Sequence, residues 1–215
     1  MTTINLKKEA IIILILLAPI IYLLLMWNQV PSQLPIHWNY NGEVDGYGAK
    51  YTTSLIVIGL YLLLLIIPKI DPRKKNYEIF SDSYYKIRLS IIFVLSIINT
   101  ITVYNGIYQS LDLKQIIPII VFALLAIIGN YMATIKPNYF TGIRTPWTLD
   151  NEDIWKKTHQ LASKIWFVGG ITGIILSLSI DSSYLHIMLI SIVVILALAP
   201  TIYSYLLFKE IKANN

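Results

Sequence analysis

The chain has 215 residues, 56% of them hydrophobic and 13% charged, with a mean hydropathy of +0.64. Soluble domains carry about 25% charged residues, so this composition excludes an ordinary soluble domain and indicates a polytopic membrane protein. The absence of cysteine excludes disulfides and thiolate chemistry, and the formal charge of +5 is placed too unevenly to read as a nucleic-acid surface.

Six apolar runs are long enough to cross a bilayer, at 9–27, 53–68, 86–107, 115–135, 161–180 and 183–207. At about 20 residues per crossing they nearly exhaust the chain. The expected fold is therefore all-α, with six transmembrane helices and short loops. The second run is short and needs Tyr51 and Thr52 or a locally thinned bilayer. The first is too long for a cleaved signal peptide, and "LLLMWNQVP" has no small-x-small cleavage site. With the N-terminus inside, all but two of the 17 basic residues, Lys50 and Lys114, fall on the cytoplasmic side. Both termini are then cytoplasmic, in a multi-pass protein of the cell membrane. Residues 1–85 form a first unit of two spans, an extracytoplasmic loop at 28–52 and a basic cytoplasmic loop. Residues 86–215 form a four-span unit with a cytoplasmic loop at 136–160.

The extracytoplasmic loop reads "NQVPSQLPIHWNYNGEVDGYGAKYT". Pro31 and Pro35 impose an extended entry, and Asn41-Gly42 and Asp45-Gly46 are strong turn dipeptides. A tight double turn displaying His37 and Trp38 is expected, with Asn41 and Asp45 in the turns. It reads either as a contact surface for a peptide or lipid headgroup, or as a compact cap over the outer mouth of the bundle. A calcium-like loop from His37, Glu43 and Asp45 is weighed and set aside, because the position of the bidentate Glu is Thr52. No metal is assigned.

Span three carries Asn99 and Asn105, and span four carries Asn130. Amides in hydrocarbon need partners, so these serve either as glue between helices or as the lining of a polar cavity. Gly169-x-x-x-Gly173 in span five is a close-packing pattern.

The cytoplasmic loop reads "KPNYFTGIRTPWTLDNEDIWKKTH". Pro137 stops span four, Gly142 permits a positive-φ turn, and Thr145-Pro146 reads as a helix cap followed by Pro at the first helical position. Asp150 offers a second cap. Trp155, His159, Ala162 and Trp166 then share one helix face, read first as an anchor at the membrane interface. Arg144, between Ile143 and the residues leading to Trp147, must find a carbonyl, a carboxylate or a lipid phosphate. No Ser/His/Asp set, phosphate-binding glycine loop or HExxH is present, so the chain is read as a non-enzyme without a cofactor.

The stretch "GNYMATIKPNYFTGIRTPWTLDNEDIWKKTHQLASK" resembles the signature of the SdpI-type family of bacterial toxin-immunity membrane proteins. The loop "LPIHWNYNGEVDGYGAK" resembles the small extracytoplasmic domain of unknown function that often precedes it. The specific matches are Asn138-Tyr139-Phe140 and the run from Gly142 through Arg144, Thr145, Pro146 and Trp147 to Leu149. The resemblance implies a six-span bacterial protein that protects its cell from a secreted antimicrobial peptide. It also implies signalling, by holding a transcriptional repressor at the membrane. The expected partners are thus the lipid bilayer, a toxin peptide outside and a repressor inside, with no direct contact to nucleic acid. The competing reading is a small transporter or flippase that uses the polar residues of spans three and four.

Overall fold

The computed structural model describes residues 5–213. The chain ends at 1–4 and 214–215, which the basic-residue pattern assigns to the cytoplasm, lie outside the described residues. In chain order the elements are α1 (Leu6–Leu25), β1 (Gln33–Trp38), β2 (Val44–Ala49), α2 (Thr52–Ile70), α3 (Lys74–Ile79) and α4 (Ser81–Tyr108). They continue with α5 (Leu113–Met132), α6 (Pro146–Asp150), α7 (Glu152–Ser177) and α8 (Ser182–Ala213). Among the described residues six helices, α1, α2, α4, α5, α7 and α8, are long and apolar enough to cross a membrane. The protein is an all-α polytopic membrane protein with one small hairpin.

The helices begin where side chains can hold otherwise orphaned N–H groups. Asn5 accepts from the N–H groups of Lys7 and Lys8 at the start of α1, and Asp112 accepts from Lys114 N–H at the start of α5. α1, α2 and α4 pack together, and α5, α7 and α8 form a second group joined to the first through α4 and α5. The most extensive contact is between α5 and α7. It depends on close backbone approach: a Cβ on Gly129 would lie 2.5 Å from Phe167 N, and one on Gly170 would lie 2.6 Å from Ala126 N. The Gly169–Gly173 pattern serves two neighbours rather than one face. Gly173 meets Phe122 of α5, whereas Gly169 meets Leu196 of α8.

Prolines inside α2 and α8 remove backbone donors and free the carbonyl one turn earlier. Both freed carbonyls find a donor on a neighbouring helix. Pro68 releases Leu64 C=O, and the Tyr84 hydroxyl of α4 donates to it at 2.7 Å. Pro200 releases Leu196 C=O, and the Trp166 indole N–H of α7 donates to it at 2.9 Å. Each proline thereby ties its helix to a particular partner.

At one end of the bundle β1 and β2 pair antiparallel, with Leu34 opposite Gly48 and Trp38 opposite Val44, and with irregular register around His37. The Asn39 side chain accepts from Asn41 N–H (2.9 Å) and Glu43 N–H (3.0 Å), and Gly42 adopts φ +72°. Asp45-Gly46 is not a second turn. It lies within β2, where Gly46 leaves room for His37, since a Cβ there would sit 2.9 Å from the His37 Cβ. Leu34, 2% exposed, inserts beside Gly106 of α4 in a cluster with Leu23, Val30 and Val103.

Loss of a single carbonyl partner is measurable. Tyr84→Phe is expected to cost about 1 kcal/mol by leaving Leu64 C=O unpaired. In a Pro68→Ala background, where the backbone N–H returns, the same change costs only a fraction of that. Denaturant unfolding in detergent of the two single variants and the double variant checks the coupling.

Candidate functional site

The signature loop and the α2–α4 connection meet at the end of the bundle opposite the hairpin. Asn138 is fully buried, and its amide is its centre. Asn138 Oδ1 accepts from the Tyr77 hydroxyl (2.9 Å), Phe140 N–H (2.9 Å) and Thr141 N–H (2.6 Å). Asn138 Nδ2 donates to Lys136 C=O (2.8 Å) and Thr141 C=O (2.9 Å). One side chain thus folds the loop around itself and pins it to α3. Asp71, 2% exposed, accepts from Arg73 N–H (2.7 Å) and Tyr139 N–H (2.9 Å). Asn76 Nδ2 donates to Pro137 C=O (2.6 Å), and Arg73 Nη2 donates to Leu149 C=O (2.7 Å). Burial pushes the Tyr77 hydroxyl up to about 12, so it stays a donor across the physiological range.

Gly142, at φ +104°, lets the chain pass directly over His159, whose Nε2 a Cβ there would strike. Ile143 N–H donates to His159 Nε2 at 3.0 Å, so Nε2 carries a lone pair and the proton resides on Nδ1, 2.9 Å from Trp155 C=O. The ring stacks on Trp155 at 4.1 Å between centroids. Trp155 is 2% exposed, and its indole donates to Ile135 C=O at 2.8 Å. The Trp155–His159–Ala162 face therefore packs into the protein interior, with Tyr77, Phe80 and Tyr84, rather than lying at the lipid interface.

Thr145 caps α6 in a reciprocal box with Thr148, with Pro146 at the first helical position, and Asn151 rather than Asp150 caps α7. Trp147 docks on α8: its indole donates to Ser204 Oγ at 2.6 Å, and its ring stacks on Phe208 at 5.8 Å. Between Pro137 and Leu149 the exposed residues are Tyr139, Phe140, Arg144 and Pro146. Arg144 Nη1 donates to Tyr139 C=O at 2.7 Å, and Arg73 lies 5.1 Å over the Tyr139 ring.

At the hairpin end His37 Nδ1 meets Asp45 Oδ1 at 2.5 Å, with both side chains exposed. Glu43 pairs with Asn39 (3.3 Å) rather than joining them. Among the described residues no three His, Cys, Asp or Glu side chains cluster as metal ligands. Trp38 is half-buried, Asn41 is exposed, and Tyr40 and Tyr47 are the most exposed aromatics of the hairpin at 62% and 60%. The polar span residues do not converge. Asn99 donates to Ser54 of α2 (3.0 Å), Asn105 accepts from Leu111 N–H (2.9 Å), and Asn130 lies exposed on α5.

Sequence reasoning missed Asp71 and Tyr77, and it missed a buried pair between Arg88 of α4 and Glu9 of α1. Tyr77, Phe80 and Tyr84 at helical spacing, and two ionisable residues bordering apolar runs, were the available signals.

Removing the Asn138 amide strands a buried hydroxyl and two backbone N–H groups. Asn138→Ala is expected to destabilise by about 2 kcal/mol or more. Gly142→Ala, which combines a left-handed backbone with a clash on His159, is expected to be at least as damaging. Thermal unfolding in detergent and the amount of folded protein in membranes check both.

Residues 134–204 match the SdpI/YfhL protein family, and residues 14–63, which contain the hairpin, match a domain of unknown function, DUF1648. The chain is 27% identical over 211 residues to "Immunity protein SdpI" of Bacillus subtilis (strain 168), covering 97% of this chain and 100% of that relative. No solved structure matches. The signature loop with α6, α7 and most of α8 is thus the part of the chain that is similar to the SdpI/YfhL protein family, behind a hairpin segment that is similar to DUF1648.

Proposed function

We propose that this protein confers immunity to a toxin at the bacterial membrane, the toxin being a secreted antimicrobial peptide met at the hairpin. The observation that carries this reading is the end-to-end likeness to an immunity protein, which spans both the hairpin segment and the signature loop. The hairpin suits the task physically. It is braced on α4 through Leu34, presents Tyr40 and Tyr47 to the surroundings, and is a two-stranded sheet with open main-chain edges. Extended peptides bind such edges by adding a strand, and aromatic side chains supply large, rigid contact area.

The signature end, in this proposal, faces the cytoplasm and docks a transcriptional repressor. Its support is the asymmetry of Lys and Arg, and a surface in which Arg144 and Tyr139 stand on a loop already locked from within. The loop pays no ordering entropy on binding, because Asn138, Asp71 and His159 hold its backbone.

Orientation is tested by single-cysteine labelling, which is clean because the chain has no native cysteine. Asn41→Cys is expected to label from outside, whereas Asn76→Cys and Asp150→Cys are not. External labelling of Asp150→Cys would reverse the topology. Function is tested by the survival of a deletion strain, complemented with variants, against a panel of secreted membrane-active peptides. Tyr40→Ala/Tyr47→Ala is expected to lower tolerance at least tenfold at unchanged membrane level. A complemented strain no more tolerant than the deletion strain to every peptide overturns the immunity reading. Arg144→Lys is expected to abolish reporter induction nearly as fully as Arg144→Ala, since lysine keeps the charge but loses the planar fork. Lys157→Ala, on an exposed i,i+4 pair with Asp153, is expected to behave as wild type.

A further inference from the structure

A cavity of about 310 Å³ opens between the first turns of α1, the end of α2 and the start of α4. Its polar wall is Lys8, Glu9, Lys69, Ser81, Tyr85 and Arg88. Arg88 is 6% exposed, a charged side chain almost wholly enclosed at the margin of an apolar span. One of its amino groups meets Glu9, but its Nε has no hydrogen-bond partner among the described residues. Glu9 is already shared, because the Tyr61 hydroxyl donates to its other oxygen at 3.1 Å. Asp82, just outside the cavity, is likewise divided between Lys8 (2.9 Å) and Lys86 (2.7 Å). Among the described residues that line the cavity, three cations, Lys8, Lys69 and Arg88, stand against one carboxylate, Glu9. Beside them Leu65 and Pro68 line the wall, and Leu62, Ile66 and Ile70 continue the apolar surface of α2 outward.

We infer that this cavity is a seat for a phosphate group, of the kind carried by an anionic glycerophospholipid. A phosphate presents acceptor oxygens and negative charge to a wall with surplus donors and surplus positive charge. The neighbouring apolar face of α2 is where the acyl chains of the same molecule would lie. The Tyr77 ring also lines the cavity, while its hydroxyl holds Asn138, so the headgroup seat and the signature loop share one side chain. The inference is independent of toxin immunity, since it rests on this cavity alone.

The test is native mass spectrometry of the full chain in neutral detergent, offered phosphatidylglycerol or phosphatidylcholine in equal amounts. Preferential retention of phosphatidylglycerol is expected. Lys69→Gln and Lys8→Gln are each expected to weaken it about fivefold, as for one basic residue near an anionic headgroup. Lys157→Gln, far from the cavity, is expected to retain wild-type binding. A parallel arm measures thermal unfolding in inorganic phosphate against chloride at matched ionic strength. Stabilisation by phosphate that Lys69→Gln removes, with no preference between the two lipids, assigns the seat to free phosphate. Equal retention of both lipids together with no phosphate effect overturns the inference. So does phosphatidylglycerol retention that is unchanged in both lysine variants while their unfolding temperatures match wild type.

Discussion

The hydrocarbon core offers no water, so every backbone carbonyl and N–H in a span must find a partner in the protein. The arrangement of helices here follows from that constraint. A straight apolar helix satisfies itself and needs no particular neighbour. A helix broken by Pro68 or Pro200 does not, and the exposed carbonyl accepts only from a donor that the adjacent helix supplies at the right height. Tyr84 and Trp166 do so, and in doing so they fix the register of α4 on α2 and of α7 on α8. Dispersion alone would fix neither, because lipid tails are as apolar as the leucines that face them. Close approach at Gly129 and Gly170 then sets the distance between α5 and α7.

The same accounting extends beyond the bilayer into the signature loop. A 13-residue stretch between α5 and α6 has no ladder to satisfy its backbone. Asn138 substitutes for one, accepting three hydrogen bonds and donating two, which uses the full capacity of an amide. Asp71 and His159 each take another backbone N–H. The buried polar groups therefore act as structure, and the few residues left outside, chiefly Tyr139, Phe140 and Arg144, are displayed on a fixed frame.

The six spans were legible in the sequence because bilayer thickness forces long apolar runs whatever the tertiary contacts. Gly142, Thr145 and Pro146 were legible because their roles are local, a positive φ and a cap. Asn138 was visible only through resemblance, since its hydroxyl partner Tyr77 lies 61 residues away and no spacing rule reaches that far. The hairpin was read as turns alone because β1 contains Pro35, and β2 contains Gly46 and Gly48, all poor strand residues. Gly46 and Gly48 are there for close approach to His37 and to Ile36 and Thr52. The tryptophan stripe of α7 looked interfacial because amphipathic spacing specifies a face but not what covers it. A loop folding over Trp155 and His159 decided that question.

The hairpin and the signature loop lie at opposite ends, and three helices reach both: α2 begins at Thr52 beside Gly48 and is C-capped by Asp71, which accepts from Tyr139 N–H. α4 receives Leu34 beside Gly106 near one terminus and packs Tyr84 and Ile87 with Ile135 and Trp155 near the other. Its 28 residues span roughly 42 Å. α8 holds His186 directly beneath Gly42 of the hairpin turn, 2.5 Å from where a Cβ would be, and holds Ser204 against Trp147 of the loop. His186 Nδ1 is buried there without a hydrogen bond from the described residues, so the contact is one of shape. Of these contacts, Gly42 on His186 is one of fit at Nδ1, whereas Leu34 is anchored in an apolar cluster.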